Sequence, residues 1–208
     1  MVIGIIVGVI VAFLVVGFLG YFISIYNGFV RLKNNIEKAR QDQTVVQENF
    51  KDALTRLKEL TGFESGDLDK MYNSVKQDYE ECTNRAEILR NRIRSVNEVA
   101  QDLFVEWQNE ISQIGNAGMK RDSEKKLQTT QKRYADLYKA MQRAEKQMDP
   151  ILAKLKDNVL YLKHNLNAQA VNALDREIQT IDREIQQLIK DMEVSIMKSD
   201  EFLATYER

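Results

Sequence analysis

Apolar residues recur at alternating intervals of three and four over most of this chain, and this spacing is the strongest constraint on its fold. A 3.5-residue repeat sustained over many heptads is typical of helices that supercoil to the left around a narrow apolar seam. One polar residue, Gln43, interrupts the seam of the first run. The pattern predicts four helices, at residues about 31–61, 67–114, 120–165 and 169–206.

Two glycine-containing segments, residues 62–66 and 115–118, separate the first three runs, and such segments favour helix ends and turns. Short turns require neighbouring helices to run antiparallel. Pro150 lies inside the third run, and proline removes a backbone donor and clashes with the preceding turn, so we expect a kink there. The 208 residues contain only this proline and nine glycines, which agrees with long helices.

Residues 2–30 carry no charged side chain. A hydrocarbon layer about 30 Å thick requires roughly 20 apolar residues in a helix, so this stretch is long enough to cross it. No basic residue precedes the stretch, and it is too long for a cleaved signal peptide. We therefore predict an all-α chain in which a transmembrane helix, residues 1–30, continues into an elongated antiparallel helical bundle or coiled coil, residues 31–208.

Four basic residues follow the apolar stretch: Arg31, Lys33, Lys38 and Arg40. Because basic residues accumulate on the cytoplasmic side of membrane helices, these residues place the C-terminal domain in the cytoplasm and the N-terminus outside. The expectation is a single-pass protein of the bacterial inner membrane, in contact with membrane lipids.

Small residues recur at every fourth position of the apolar stretch, with one interruption at Val16. Such a row lets helix backbones approach closely in lipid, and it predicts packing between copies of the chain. The row consists of Gly4, Gly8, Ala12, Gly20, Ser24 and Gly28.

Several apolar residues lie beside the seam of the bundle. They could widen the core within one chain, or they could face another subunit. The residues are Phe104, Tyr138, Tyr161, Ile189 and Ile196.

Two stretches resemble known families. The segment GIIVGVIVAFLVVGFLGYFISIYNGFVRLKNNIEKA is similar to the start of LemA family proteins, which begin with a membrane helix followed by a Tyr-Asn and basic segment. The words LKELTGFESGDLDKMY, RIRSVNEVAQDLFVEWQNEI, YADLYKAMQRAEKQMDPIL and VLYLKHNLNAQAV resemble an uncharacterised bacterial coiled-coil family of unknown function, over residues about 38–203. That family includes lipoproteins, whereas this chain has no lipobox cysteine. Neither resemblance implies an enzymatic activity or a catalytic residue.

The residues offer little catalytic chemistry. His164 is the only histidine, so histidine-based triads and most histidine metal sites cannot form within one chain. Cys82 and Trp107 lie on the seam, where both are expected in the core. A net charge of −1 argues against a nucleic-acid binder, which would show a basic stripe or patch. We expect no enzyme, no cofactor and no metal.

One segment near the end of the third run is a candidate contact patch: Tyr161, Lys163, His164, Asn165 and Asn167. The alternative is a helix corner whose asparagines bond to backbone groups.

The sequence thus favours a non-enzymatic, membrane-anchored, homo-oligomeric coiled-coil scaffold with a possible membrane-protein partner. A membrane-remodelling or membrane-protecting role is one alternative. An adaptor for a membrane protease or an envelope stress system is another.

Overall fold

The chain folds into four α-helices. The computed structural model describes the backbone of residues 2–61, 68–165 and 174–205, and the side chains of residues 25–59, 69–165 and 174–205. The helices are α1 (Val2–Thr61), α2 (Leu68–Gln113), α3 (Ala117–His164) and α4 (Asp175–Ala204). The all-α, four-helix part of the prediction agrees with this structure.

The four helices form a closed ring in which each helix packs antiparallel to the next, and α4 packs back against α1. Bonds between side chains show the direction. On α1 the residue number rises from Arg40 to Lys58, while the number of their partners on α4 falls from Asp200 to Asp182. One bond for each pair of neighbours is Arg92–Asp42 (3.1 Å), Tyr134–Asn97 (3.1 Å), Lys154–Glu184 (2.5 Å) and Arg40–Asp200 (2.8 Å).

The interior of the ring is the apolar seam that the spacing predicts. Fully buried members of the seam come from all four helices, and burying each large apolar side chain contributes about 1.5–3 kcal/mol before entropy is counted. The largest of them include Leu32, Ile36, Phe50, Leu89, Leu103, Leu137, Met141 and Met148. Two of the residues beside the seam, Phe104 and Ile189, are also buried, which places them in the core of one chain.

A polar layer interrupts this core between α1 and α4. Gln43 is fully buried, and its Nε2 donates a hydrogen bond to Oγ of Ser195 over 2.8 Å. One turn further on, Nε2 of Gln47 donates to the backbone carbonyl of Ile189 over 3.1 Å. The interruption seen in the sequence is therefore a specific link between α1 and α4.

The ends of α3 differ in detail from the prediction. The helix begins at Ala117 because the Asn116 side chain accepts hydrogen bonds from the backbone N–H groups of Gly118 and Met119, over 2.9 and 3.0 Å. The helix also continues through Pro150. Proline has no backbone N–H to donate to the carbonyl one turn earlier, and because Pro150 is exposed, solvent can bond to that carbonyl instead.

The predicted transmembrane helix is wrong. Within the described part of the chain, no helix is both long enough and apolar enough to cross a membrane. The described side chains of α1 begin at Ile25, and charged residues start at Arg31, so they supply only a fraction of the roughly 20 apolar residues that a span requires. The prediction of a single-pass inner-membrane protein with its N-terminus outside depended on that helix, and it is wrong for the same reason.

Among the described residues, the ring of four helices is complete over only part of its length. The last described contact between α3 and α4 joins Arg133 to Thr205, whereas α3 begins at Ala117. Residues 117–132 of α3, about 24 Å of helix, lie beyond this contact, towards the start of α3. We call this section, formed by α1, α2 and the start of α3, the three-helix end.

The Gln43–Ser195 bond can be tested by substitution. Ser195→Ala leaves a buried amide without its acceptor and should lower the free energy of unfolding by about 1–3 kcal/mol. The double variant Gln43→Leu/Ser195→Ala removes both partners and should recover most of that loss. Urea denaturation followed by circular dichroism measures both values. If the double variant loses at least as much free energy of unfolding as Ser195→Ala alone, the bond does not contribute as described.

Candidate functional site

The three-helix end contains a cavity of about 510 Å³ between α1, α2 and α3. Its lining is mainly apolar and aromatic, with a few charged groups at the edge. The residues are Ile25, Tyr26 and Phe29 of α1, Trp107, Glu110 and Ile111 of α2, Ile114 of the turn, and Met119, Asp122, Ser123 and Lys126 of α3.

An aromatic pair forms the inner wall of this cavity. The rings of Phe29 and Trp107 meet edge to face, with their centroids 5.3 Å apart. The indole N–H of Trp107 donates a hydrogen bond to Oγ of Ser123 over 3.2 Å. Trp107 thus contacts α1 and α3 together, and it holds the three helices around the cavity.

Gly28 brings α1 and α2 close together beside this wall. A Cβ atom at position 28 would lie 2.8 Å from Cδ1 of Leu103, which is fully buried. A side chain there would force Leu103 to move. The lack of one at Gly28 therefore allows the close packing of α1 on α2.

The cavity is open to solvent on one side. The side chains at its mouth are Tyr26, which is 69% exposed, and Met119, which is 67% exposed. Exposed apolar surface that is continuous with an apolar cavity makes this end of the bundle a candidate binding site.

The charged groups at the cavity are mostly acidic. Burial raises the pKa of the Glu110 carboxyl to about 7, and the neighbouring Glu106 raises it further in the same direction. On α3 the ammonium group of Lys126 lies 3.1 Å from the carboxylate of Asp122, so the two charges offset each other. The edge therefore carries net negative charge whenever Glu110 is ionised.

Of the row of small residues, only Gly28 has a described environment, and it packs against α2 of its own chain. The side chains of Gly4, Gly8, Ala12, Gly20 and Ser24 lie outside the described residues, although α1 is helical through these positions. Their packing between copies stays a prediction.

The four basic residues after the apolar stretch have separate environments. Arg31 and Lys38 are exposed, and Lys33 is partly buried. Arg40 forms its ion pair with Asp200 across α1 and α4, so its charge serves the bundle itself.

The candidate patch at the end of α3 fits the alternative of a helix corner. The backbone N–H of Asn165 donates to the carbonyl of Leu162 over 3.1 Å, and its side chain donates to the carbonyl of Tyr161 over 3.0 Å. Lys163 and His164 are exposed, and Tyr161 is 39% exposed. Asn167 lies outside the described residues.

Sequence reasoning missed the cavity. Trp107 was expected in the core, yet it is only partly buried and faces the cavity. Glu110 attracts no attention as one of 31 acidic residues. The sequence does contain one signal. Glu110 follows Trp107 by three residues, and residues three apart share one side of a helix, so the carboxyl is predicted to lie beside the indole ring.

Cys82 lies away from the cavity, in the core between α1 and α2. Its thiol is fully buried, and burial, with a smaller effect of Asp78, raises its pKa to about 12. In the described parts of the chain, no group of three or more His, Cys, Asp or Glu side chains is placed to hold a metal ion.

The burial of Cys82 has a measurable consequence. Because the thiolate is the reactive form, the native protein at pH 8 should resist alkylation by iodoacetamide, whereas the urea-unfolded chain should react at least about 100-fold faster. Mass spectrometry over a time course measures both rates. Rapid modification of the native chain would show that the core opens around Cys82.

Glu110 should make stability depend on pH. Its pKa in the folded state lies above the ordinary value of 4.5, so the folded state holds this proton more tightly. The resulting stability is fully present below pH 4.5 and is lost as the pH rises through about 7. Glu110→Gln should match the wild type at pH 4 and exceed its stability at pH 8 by about 1 kcal/mol, a value that allows for screening of this partly exposed carboxyl by solvent.

Urea denaturation at the two pH values measures this difference, with Glu87→Gln, an exposed residue of the same helix, as the control. If Glu110→Gln and the wild type keep the same stability difference at both pH values, the carboxyl is not perturbed.

No curated protein and no solved structure matches the chain. Residues 30–206 match a protein family described as "Protein of unknown function (DUF2959)". The match begins at residue 30, so it gives no support to the LemA resemblance of residues about 2–36. It covers most of the 208 residues and agrees with the resemblance of residues about 38–203 to an uncharacterised family. The chain therefore belongs to the DUF2959 family of proteins of unknown function.

Proposed function

We propose that this protein is a non-enzymatic scaffold whose copies assemble through the three-helix end and the adjoining N-terminal part of α1. The observation that carries the proposal is the incomplete ring of helices. At the same end of the bundle where α4 is missing among the described residues, α1 continues as a helix through residues 2–24.

The exposed surface beside the cavity supports assembly. Tyr26 and Val30 lie four residues apart on α1, and they are 69% and 38% exposed. These two side chains place exposed apolar surface along one side of α1, of the kind that a second protein surface covers.

The sequence of the N-terminal part of α1 supports the same surface. Residues 2–24 include no charged residue, and a helix that is apolar on all sides must be buried against something. Copies of the chain that pack side by side would bury this segment together with Tyr26 and Val30.

The row of small residues can serve both the bundle and the assembly. Residues four apart advance by about 40° around a helix, so a row at this spacing winds around the axis. From Gly8 to Gly28 the row turns by about 200°. Gly28 packs against α2 of its own chain, and Gly4, Gly8 and Ala12 lie roughly 160–240° around the helix axis from it, so we expect this part of the row to meet another copy.

The chemistry of the described residues supports a role without catalysis. The thiol of Cys82 is buried and hard to ionise. The only histidine, His164, stands exposed at the end of α3. The two alternative roles, at membranes and with a membrane protease, stay predictions.

Oxidative cross-linking tests the assembly. Cys82 is buried, so a cysteine introduced at the surface reports alone. Tyr26→Cys and Val30→Cys should each yield a disulfide-linked dimer on mild oxidation, because these positions face a second copy. The control is Lys156→Cys, an exposed position at the opposite end of α3, which should stay monomeric on denaturing gels.

Light scattering on the unmodified full chain gives the mass of the particle, which should be a multiple of 24.2 kDa. A monomeric mass overturns the proposal. An oligomer that cross-links through Lys156→Cys and through neither Tyr26→Cys nor Val30→Cys overturns the proposed surface.

A further inference from the structure

The cavity at the three-helix end has the size and lining of a small-molecule site. Its volume of about 510 Å³ falls within the range of roughly 300–1,000 Å³ that is typical of such sites. The walls are supplied by Ile25, Ile111 and Ile114 together with the aromatic pair of Phe29 and Trp107. Such a lining suits an alkyl chain.

The polar groups of the cavity favour a positive charge. Tyr26, Phe29 and Trp107 present three aromatic rings, and aromatic faces attract ammonium groups. The carboxyl of Glu110 lies at the edge, and the ammonium of Lys126 is already matched by Asp122. An anionic head group would meet net negative charge there, whereas a cationic head group would meet attraction.

From this arrangement we propose that the cavity binds a small amphiphile that has an alkyl chain and an ammonium head group. The chain packs against the isoleucines and Trp107, and the head group lies near Glu110 and the ring of Tyr26. The residues that would bind it all belong to one copy of the chain, and Tyr26 is shared with the proposed assembly surface.

Binding of this kind should depend on pH. The titratable and charged groups around Glu110 are Glu106 on α2, the phenol of Tyr26 on α1, and Asp122 and Lys126 on α3. Of these groups, Glu110 is the one whose pKa is raised to about 7, so its ionisation between pH 6 and pH 8 adds attraction for a cation.

The chain contains a single tryptophan, Trp107, so its fluorescence reports on the cavity alone. The full chain is titrated with dodecyltrimethylammonium, dodecyl sulfate and dodecyl maltoside, each below its critical micelle concentration. The ammonium compound should bind saturably and about tenfold more tightly than the other two. Tetramethylammonium, which has the head group without the chain, should bind at least about tenfold more weakly than the full amphiphile.

Dodecylphosphocholine distinguishes two sources of the ammonium group. Binding as tight as that of dodecyltrimethylammonium indicates that a lipid-type phosphocholine head is accepted. Weaker binding restricts the site to free alkylammonium compounds. Both results support the ammonium class. Equal affinity for the cationic, anionic and neutral compounds, or the absence of saturation, overturns the proposal.

A matched pair of variants tests the role of Glu110. Glu110→Gln should weaken binding of dodecyltrimethylammonium about tenfold at pH 8, and it should abolish the increase in affinity between pH 6 and pH 8. Glu87→Gln, on the same helix and distant from the cavity, should leave both unchanged. Circular dichroism of both variants checks that the fold is intact. If Glu110→Gln binds as the wild type does at both pH values, the carboxylate does not hold the head group.

Discussion

The antiparallel pairing of α4 with α3 and α1 determines which part of the bundle is closed and which part is open. Where α4 is present, each helix has two neighbours, and the apolar seam is covered on every side. Helix α4 has 30 residues and α3 has 48, and the ion pairs and hydrogen bonds place α4 at the far end of α3 from Ala117. The described part of α4 therefore stops short of one end of α1 and α3, and the cavity lies at that end.

The position of α4 is set by polar contacts more than by its apolar seam. A heptad seam that slips by seven residues buries nearly the same apolar side chains, so it specifies register weakly. The bonds of Gln43 to Ser195 and of Gln47 to the carbonyl of Ile189 exist in one register only. The nearly buried Asp191 adds an ion pair of 3.0 Å to Arg143 of α3. A slip would leave these groups buried without partners, at a cost of about 1–3 kcal/mol for each.

Much of the fold follows from the sequence because the spacing of apolar residues is a local property. It identifies four helices and most of the buried positions, and it singles out Gln43. The cavity is not local. Its place depends on which residue of α4 meets which residue of α1, and therefore on bonds between side chains about 150 positions apart. The same holds for Gly28, which suits a row of small residues in the sequence but packs against Leu103 in the structure. The expected membrane helix failed for another reason, since the absence of charge in a stretch describes composition and not surroundings.

Glu110 is the reason for proposing a ligand in the cavity. An ordinary solvent-exposed glutamate would ionise well below neutral pH at no cost, yet here burial beside Trp107 and Glu106 opposes the charge. Structural positions of this kind are normally filled by apolar or neutral residues, because the charged form destabilises the folded state. A carboxyl whose pKa lies near neutrality inside an apolar cleft is instead typical of binding and catalytic sites. A cation bound in the cavity would stabilise the ionised carboxylate of Glu110. By linkage, the ionised carboxylate would bind that cation more tightly than the neutral carboxyl does.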